Sequence, residues 1–542
     1  MVLPVSIYLT QYNIIIIYYQ MIKISKIILH NFKRFQNLSI EIDPKMNIFI
    51  GDNESGKSSI LQAIDLVARG SRTRIDEIGL ERLFNADAIS AFMDGNRSLN
   101  EMPKMFVELY FDNRIDESLE GGNNSEQRIC CGIKMVCEYN TQYSQQISQI
   151  LANPVATFPL EFYSVTFDTF SGEPYNAYTK KLKSLFIDNA QVGSPYAMRE
   201  YIRDIYHSQL DDVQRINTRH SYHQTKVDFQ NNKLSAFNAN IAPFIFAVRE
   251  SSDDNIETDV TLMEGNVPIE NKGAGRQCFI KTELSLKRAA NGIDIVLIEE
   301  PENHLSYMNV LELINKIKGD EDRQIFISTH SNLIATRLNL RNCILLNSAS
   351  PRAVSLKMLC EDTANFFMKA PDNNMLQFIL SNKTILVEGD AEFILMESLY
   401  RKTLHKELSN SGIGVIAVDG KCFKRYLEIA RLLGNKVVVI TDNDKDYDFN
   451  IRDSYNDYIN NQYPNIKVCS DSDNNRYTFE VCIYNDNEAI CDTEFTSPRR
   501  RISIQDYMLR NKAEAAFALL KNRSDTIVVP QYIQDAIRWI DA

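Results

Sequence analysis

The stretch Gly51-Asp52-Asn53-Glu54-Ser55-Gly56-Lys57-Ser58 fits G-x-x-x-x-G-K-[ST], follows the apolar run Met46-Asn47-Ile48-Phe49-Ile50 and leads into Ser59-Ile60-Leu61-Gln62-Ala63-Ile64. That order predicts a strand, a phosphate-binding loop and a helix. Glycines let the backbone wrap a polyphosphate, with several N–H groups and the positive end of the helix aimed at its oxygens. Gly51, Asn53, Ser55, Gly56 and Ser59 are therefore expected around a nucleotide, with Lys57 reaching its β- and γ-phosphates and Ser58 holding Mg²⁺. A second set of groups belongs to the same chemistry. The apolar run from Ile293 to Ile298 ends in Glu299-Glu300-Pro301-Glu302, as a fully buried parallel strand would, and delivers its carboxylates to an active-site crevice. Glu299 is expected to hold the water shell of Mg²⁺ and Glu300 to orient an attacking water. A further short strand, Gln324 to Thr329, brings His330 to the position of a γ-phosphate sensor.

The carboxyl-terminal half carries a different constellation. Glu388-Gly389 follows the apolar strand Lys383-Thr384-Ile385-Leu386-Val387, and Asp442-Asn443-Asp444 follows Lys436-Val437-Val438-Val439-Ile440-Thr441. Carboxylates gathered at strand ends repel one another unless cations sit between them, and hard oxygen ligands suit Mg²⁺ or Mn²⁺. Two such ions about 4 Å apart can activate a water and stabilise the leaving oxygen of a phosphodiester. Glu392, one turn beyond Glu388, is either a further ligand or a helix-start charge favoured by the dipole. Glu480 either completes a second metal position or is a surface charge. Lys512, opening a helix, either neutralises transition-state charge or is likewise a surface charge.

The elements that must position these groups fall into an α/β plan. With 542 residues, 44% hydrophobic and 24% charged, the chain has ordinary globular composition and room for about two to four domains. A formal net charge of −12 excludes a wholly basic coat, so nucleic-acid contact must come from local Lys/Arg patches or from metal ions bridging phosphates. The 10 cysteines form no C-x-x-C pair, which predicts a reduced, cytoplasmic protein. The run Ile14-Ile15-Ile16-Ile17-Tyr18-Tyr19 is too short to cross a bilayer and has no basic region before it. It reads as an extra strand or interface segment, or as untranslated sequence before a start at Met21; the alternating strand that begins at Ile22 favours the second.

The domain reading is an ATPase head with an N-terminal lobe over 21–160, a helical insertion or dimerisation arm over 161–240, a C-terminal lobe over 241–370, and a second α/β domain over 375–542. Arg199, Arg203, Arg215, Arg219, His220 and Lys226 in the arm offer a nucleic-acid surface, a solvated helix or a dimer contact. Alternating strands and helices after residue 383 predict a parallel sheet with acidic residues at one edge.

The order of the head motifs resembles the ABC/SMC-type ATPases: Walker A from Gly51 to Ser58, Walker B from Ile295 to Glu300, a D-loop at Asn303-His304-Leu305, and a switch histidine in Ser328-Thr329-His330-Ser331. The resemblance implies ATP held between two heads. The signature loop would be Lys272-Gly273-Ala274-Gly275-Arg276-Gln277, ahead of a helix from Cys278, so Gly275 and Arg276 would close on nucleotide in trans. It departs from the common Leu-Ser-Gly-Gly-Gln form. Phe32-Lys33-Arg34-Phe35 occupies the place where related ATPases put residues near the base or phosphates. The E-G…D-x-D pattern resembles the Toprim domain, in which Glu388 is ligand or base and Asp442 and Asp444 bind metal.

A head with a helical insertion joined to a Toprim domain containing Glu388, Asp442, Asp444, Glu480 and Lys512 resembles the OLD (overcoming lysogenization defect) family of nucleases over nearly the whole chain. The resemblance implies an ATP-regulated, metal-dependent DNA endonuclease of bacterial anti-phage defence. Implied with it are a homodimer or higher oligomer, DNA as substrate, no membrane, and in some members a partner such as a helicase-like protein or a retron reverse transcriptase with its DNA. The rival readings are an ATP-gated DNA clamp that does not cut, and a topoisomerase or primase.

Overall fold

A computed structural model describes residues 6–10, 13–17, 22–112, 116–153, 155–189, 195–207, 210, 212–238, 244–248, 256–286, 293–319, 323–347, 350–370, 374–418, 420, 422–459, 462–498 and 500–542. They form two compact units, 1–330 with 342–353, and 331–341 with 354–542.

The first unit is built on two sheets. In one, Ser184–Asp188, Ile295–Glu299, Gln324–Ser328, Met46–Gly51 and Cys343–Asn347 lie side by side, all parallel, with Ser350–Ser355 beyond them. Ile295–Glu299 and Gln324–Ser328 are buried at every position, the pattern of strands covered on both faces. The other sheet is antiparallel, ordered Phe35–Glu41, Ile24–Phe32, Met105–Phe111, Cys130–Tyr139, Glu120–Gly121, with Tyr163–Thr169 also paired to Cys130–Tyr139. Between strand Met46–Gly51 and helix Lys57–Arg69 runs the phosphate loop, closed by Gly56 at φ 98°. A Cβ there would stand 2.3 Å from the Phe35 ring, so both the left-handed backbone and the space require glycine. The helix buries Ile60, Leu61, Ile64 and Val67 on one face and stops at Gly70, also left-handed.

Two features depart from the domain reading. Strands Tyr163–Thr169 and Ser184–Asp188 belong to the sheets of the head, so helices of the expected arm begin only with Pro195–His207 and Asp212–Phe229. Residues 331–341 and 354–370 group with the C-terminal unit rather than with the second lobe of the head. At the amino end, Ser6–Thr10 and Asn13–Ile17 pair as an antiparallel hairpin; Met21 lies outside the described residues.

The second unit has a four-stranded sheet, ordered Ile413–Ala417, Lys383–Val387, Lys436–Ile440, Ile466–Cys469, with every neighbouring pair parallel. Helices Asp390–Leu404, Lys512–Arg523 and Gln531–Asp541 pack together and against it. Their shared core includes Ile385, Val387, Leu395, Leu399, Ile440, Leu519 and Ile537. Among the described residues no helix is long and apolar enough to cross a membrane.

Candidate active sites

In the head, the phosphate loop, the acidic strand end and His330 meet at the carboxyl edge of the parallel sheet. Lys57 Nζ donates to the Gly51 and Asp52 carbonyls at 2.9 and 2.8 Å, and burial lowers its pKa against the pull of Glu300, Asp52, Glu299 and Glu302. Burial also pushes the Glu299 carboxyl up to about 7, opposed by a hydrogen bond from Ser58 and reinforced by Asp188 and Glu300. Ser58 and Glu299, the two expected Mg²⁺ holders, are thus in direct contact. Lys33 is buried enough to lower its pKa and feels the Glu299 charge. Arg34 donates to the Glu54 carbonyl of the loop. The Phe32–Phe35 turn therefore reaches the site from the antiparallel sheet.

Glu300 sits at φ 44° and accepts from Asn303 Nδ2 at 2.6 Å. Its Oε1 stands 3.7 Å from His330 Nε2. Burial and the nearby Lys57 ammonium lower the His330 pKa, which keeps the ring neutral at pH 7. Glu302 is the member that motif reading passed over. Its Oε1 accepts from the Thr329 hydroxyl at 2.6 Å and the His330 N–H at 2.9 Å, so it fixes the backbone that presents the histidine. Asp188 was missed too, because it lies on a strand that sequence reading gave to the arm. Its register partner is Glu299.

The helix expected from Cys278 begins earlier, at Ala274. Gln277 N–H bonds the Gly273 carbonyl at 3.1 Å, and its side chain caps the Lys272 carbonyl at 2.7 Å, which extends the helix over both signature candidates. A Cβ on Gly275 would stand 2.2 Å from the His304 carbonyl oxygen, so this helix start is packed directly on the Asn303-His304-Leu305 turn. Arg276 is engaged by Glu264, which also meets Lys272 at 3.1 Å; the two cations hold the Glu264 carboxyl down at about 2.

The second site forms where the two inner strands of the C-terminal sheet end. Glu388 Oε2 accepts from Thr441 Oγ1 at 3.4 Å. Asp442 Oδ1 accepts from the Phe479 N–H at 2.8 Å, which docks the start of helix Phe479–Asp486, capped by Thr478, against it. Glu480 in that first turn is 3% exposed, with Lys512 Nζ at 3.3 Å. Burial, then the charges of Glu388, Glu392 and Glu480, push Asp442 up to about 8. Glu392 rises to about 7 by burial, with Glu480 and Glu388 adding to it. Burial works against the charge on Lys512, but Glu480 and Asp442 outweigh it and raise its pKa. Glu388, Glu392, Asp442, Glu480 and Lys512 are therefore one electrostatic group drawn from five separate elements.

Asp444, unlike Glu392, Asp442 and Glu480, is not buried. The Asn443 side chain bonds the Asp471 and Asp473 carbonyls at 2.8 and 3.0 Å, which turns the chain so that Asp444 follows at φ 48°, exposed. The donor set suits a hard divalent cation: among the described residues the two buried Glu480 oxygens have no hydrogen-bond partner beyond the Lys512 ammonium at 3.3 Å, and the carboxylates destabilise one another's charge. Among the described residues no three such ligands already stand close enough to enclose an ion.

Comparison with known proteins agrees with this division. The AAA ATPase domain family matches residues 22–169 and 174–335, and the Overcoming lysogenization defect protein-like TOPRIM domain matches 379–444. The Old nuclease of Escherichia phage P2 is 28% identical over 176 residues, which cover 30% of this chain and 30% of that protein. An ATP/GTP phosphatase of Helicobacter pylori is 23% identical over 325 residues, 57% of this chain and 85% of that one. The C-terminal region of the Burkholderia pseudomallei OLD protein aligns with a TM-score of 0.22 at 19% identity, covering 30% of this chain and 97% of that one. The chain belongs to the AAA ATPase domain family and joins that head to an Overcoming lysogenization defect protein-like TOPRIM domain.

Proposed function

We propose that this protein is an ATP-regulated, divalent-metal-dependent DNA endonuclease that cleaves or nicks its substrate as the effector of a bacterial anti-phage system. The observation that carries the reading is the group made by the buried carboxylates of Glu392, Asp442 and Glu480 with the half-buried Glu388, beside Lys512. Four carboxylates held in mutual repulsion are relieved by a cation, and a site of that charge has no use in a clamp that only binds. Mg²⁺ or Mn²⁺ bound there would supply an activated water and neutralise charge on the scissile phosphate. Their placement supports a part for each residue. Asp442 anchors the Phe479 N–H and so orients Glu480, Glu388 and Glu392 complete the ligand set, and Lys512 brings positive charge to the developing phosphorane.

In the head, ATP would lie against Gly51, Asn53, Ser55, Gly56, Lys57, Ser58 and Ser59, with Glu299 beside Ser58. The neutral His330 and the Glu300 carboxylate, 3.7 Å apart, would orient the attacking water. Gly275 and Arg276 would meet nucleotide bound by a second copy, which makes a homodimer or higher oligomer the working form, in the cytoplasm. Supercoiled plasmid incubated with Mg²⁺ or Mn²⁺, with and without ATP, tests the reading. Nicked or linear product is expected from the wild type and not from Glu388→Ala or Asp442→Ala. The absence of product under every nucleotide condition favours the non-cutting clamp.

A further inference from the structure

Resting on the nuclease reading, we propose that the segment from Arg500 to Lys512 is the surface that receives the DNA backbone and leads it to the carboxylate group. This stretch carries Arg500, Arg501, Arg510 and Lys512 against the single acid Asp506, in a chain whose formal net charge is −12. It is fixed beside the site. Helix Ile504–Arg510 packs against helix Phe479–Asp486, whose first turn carries Glu480. Met508 anchors it in the core at 2% exposure, and its end is tied to the cluster through Lys512 and Glu480.

Two of the four charges along this segment are presented for an anion rather than satisfied internally. Arg501 and Arg510 are exposed, and neither makes an ion pair among the described residues. The Arg500 guanidinium lies 3.4 Å from the centroid of the Tyr507 ring, and its Nη1 is buried with no hydrogen-bond partner among the described residues. Asp506, the one acid, is occupied by the Ser503 hydroxyl at 2.7 Å. The basic residues of the helical arm differ. Arg219 pairs with Glu257 at 2.6 Å, and Lys226 stands 4.0 Å from Asp259. A phosphate backbone at Arg219 or Lys226 has to displace a carboxylate already in place, whereas at Arg501 and Arg510 it displaces only mobile counterions, whose release favours binding. A polyanion running along the segment reaches Lys512, and there meets the carboxylates that would cut it.

The test measures binding of fluorescein-labelled duplex DNA to the full chain in EDTA, so that affinity is read without cleavage, across a series of salt concentrations. Arg501→Ala/Arg510→Ala is expected to flatten the plot of log Kobs against log salt by about 1.8, two contacts at about 0.9 each. Arg501→Lys/Arg510→Lys should keep the wild-type slope, and both variants should hydrolyse ATP as the wild type does. Arg215→Ala/Arg219→Ala on the arm should leave the slope unchanged. A wild-type slope for Arg501→Ala/Arg510→Ala overturns the placement while the nuclease reading stands. Failure of the wild type to bind DNA at all overturns both.

Discussion

The Ser58 hydroxyl donates to the Glu299 carboxylate, joining the first turn of the helix after the phosphate loop to the end of a neighbouring strand. That bond opposes the rise that burial imposes on Glu299. Ser58→Ala removes it, so Glu299 should bind a proton more readily at neutral pH and lose strength as a Mg²⁺ holder. ATP hydrolysis measured against Mg²⁺ concentration should show a higher Mg²⁺ requirement for the variant, with binding of metal-free nucleotide little changed. An unaltered Mg²⁺ curve contradicts the pairing of roles.

Lys57 and Glu300 should separate binding from turnover. Lys57→Ala removes the ammonium now bonded to the loop carbonyls and is expected to abolish ATP binding by calorimetry. Glu300→Gln keeps an acceptor for Asn303 but loses the charge proposed to orient water, so binding should persist while turnover falls by about 10²-fold or more. Equal loss of both in Glu300→Gln means that the carboxylate holds the nucleotide rather than the water.

Asp442 makes a prediction about stability. With Asp442 at about 8 and Glu392 at about 7, both folded-state values lie above those of unfolded carboxylates, about 4. The folded state then holds more protons than the unfolded one between about pH 4 and pH 8, and metal-free stability falls as pH rises through that window. Asp442→Asn removes the charge and keeps an oxygen acceptor for the Phe479 N–H. In EDTA it should raise Tm by a few degrees at pH 8 and hardly at all at pH 4, while abolishing cleavage and sparing ATP hydrolysis. The same shift at both pH values denies the electrostatic cause.

Gly275 and Arg276 are neighbours with opposite expectations. Gly275→Ala drives a Cβ to 2.2 Å from the His304 carbonyl oxygen, and because backbone must move, a cost of about 1–3 kcal/mol is expected in denaturant unfolding. Arg276→Ala breaks a solvent-exposed pair with Glu264 and should scarcely change stability. If both unfold alike, the helix start is not packed on the His304 turn.

Much of this arrangement was legible because strand ends carry the chemistry. Buried parallel strands read as apolar runs, and the residue after each run is delivered to the site, which is why Glu299, His330, Glu388 and Asp442 stood out. The start of helix Lys512–Arg523 stands where the sequence reading put a helix opening at Lys512. What was hidden depends on distant pairing. Asp188 acquires its place only through register with Glu299, and Lys33 only through a turn of the other sheet. Strand Tyr163–Thr169 has an alternating burial pattern visible in Tyr-Ser-Val-Thr-Phe-Asp-Thr, yet it was read as arm because polar helical sequence follows. Asp444 fits its motif in one dimension, yet it is exposed where Asp442 is buried, next to an Asn443 anchor whose contacts with Asp471 and Asp473 spacing does not encode.

In the C-terminal sheet, Lys383–Val387 and Lys436–Ile440 are the inner pair, with Ile413–Ala417 and Ile466–Cys469 outside them. Fraying at either border therefore leaves the ladder between the two acid-bearing strands closed, and their amides should be among the last in the unit to exchange with deuterium. The borders absorb breathing and substitution, while the separation of Glu388 from Asp442 is set by the part of the sheet that opens only when the whole unit does.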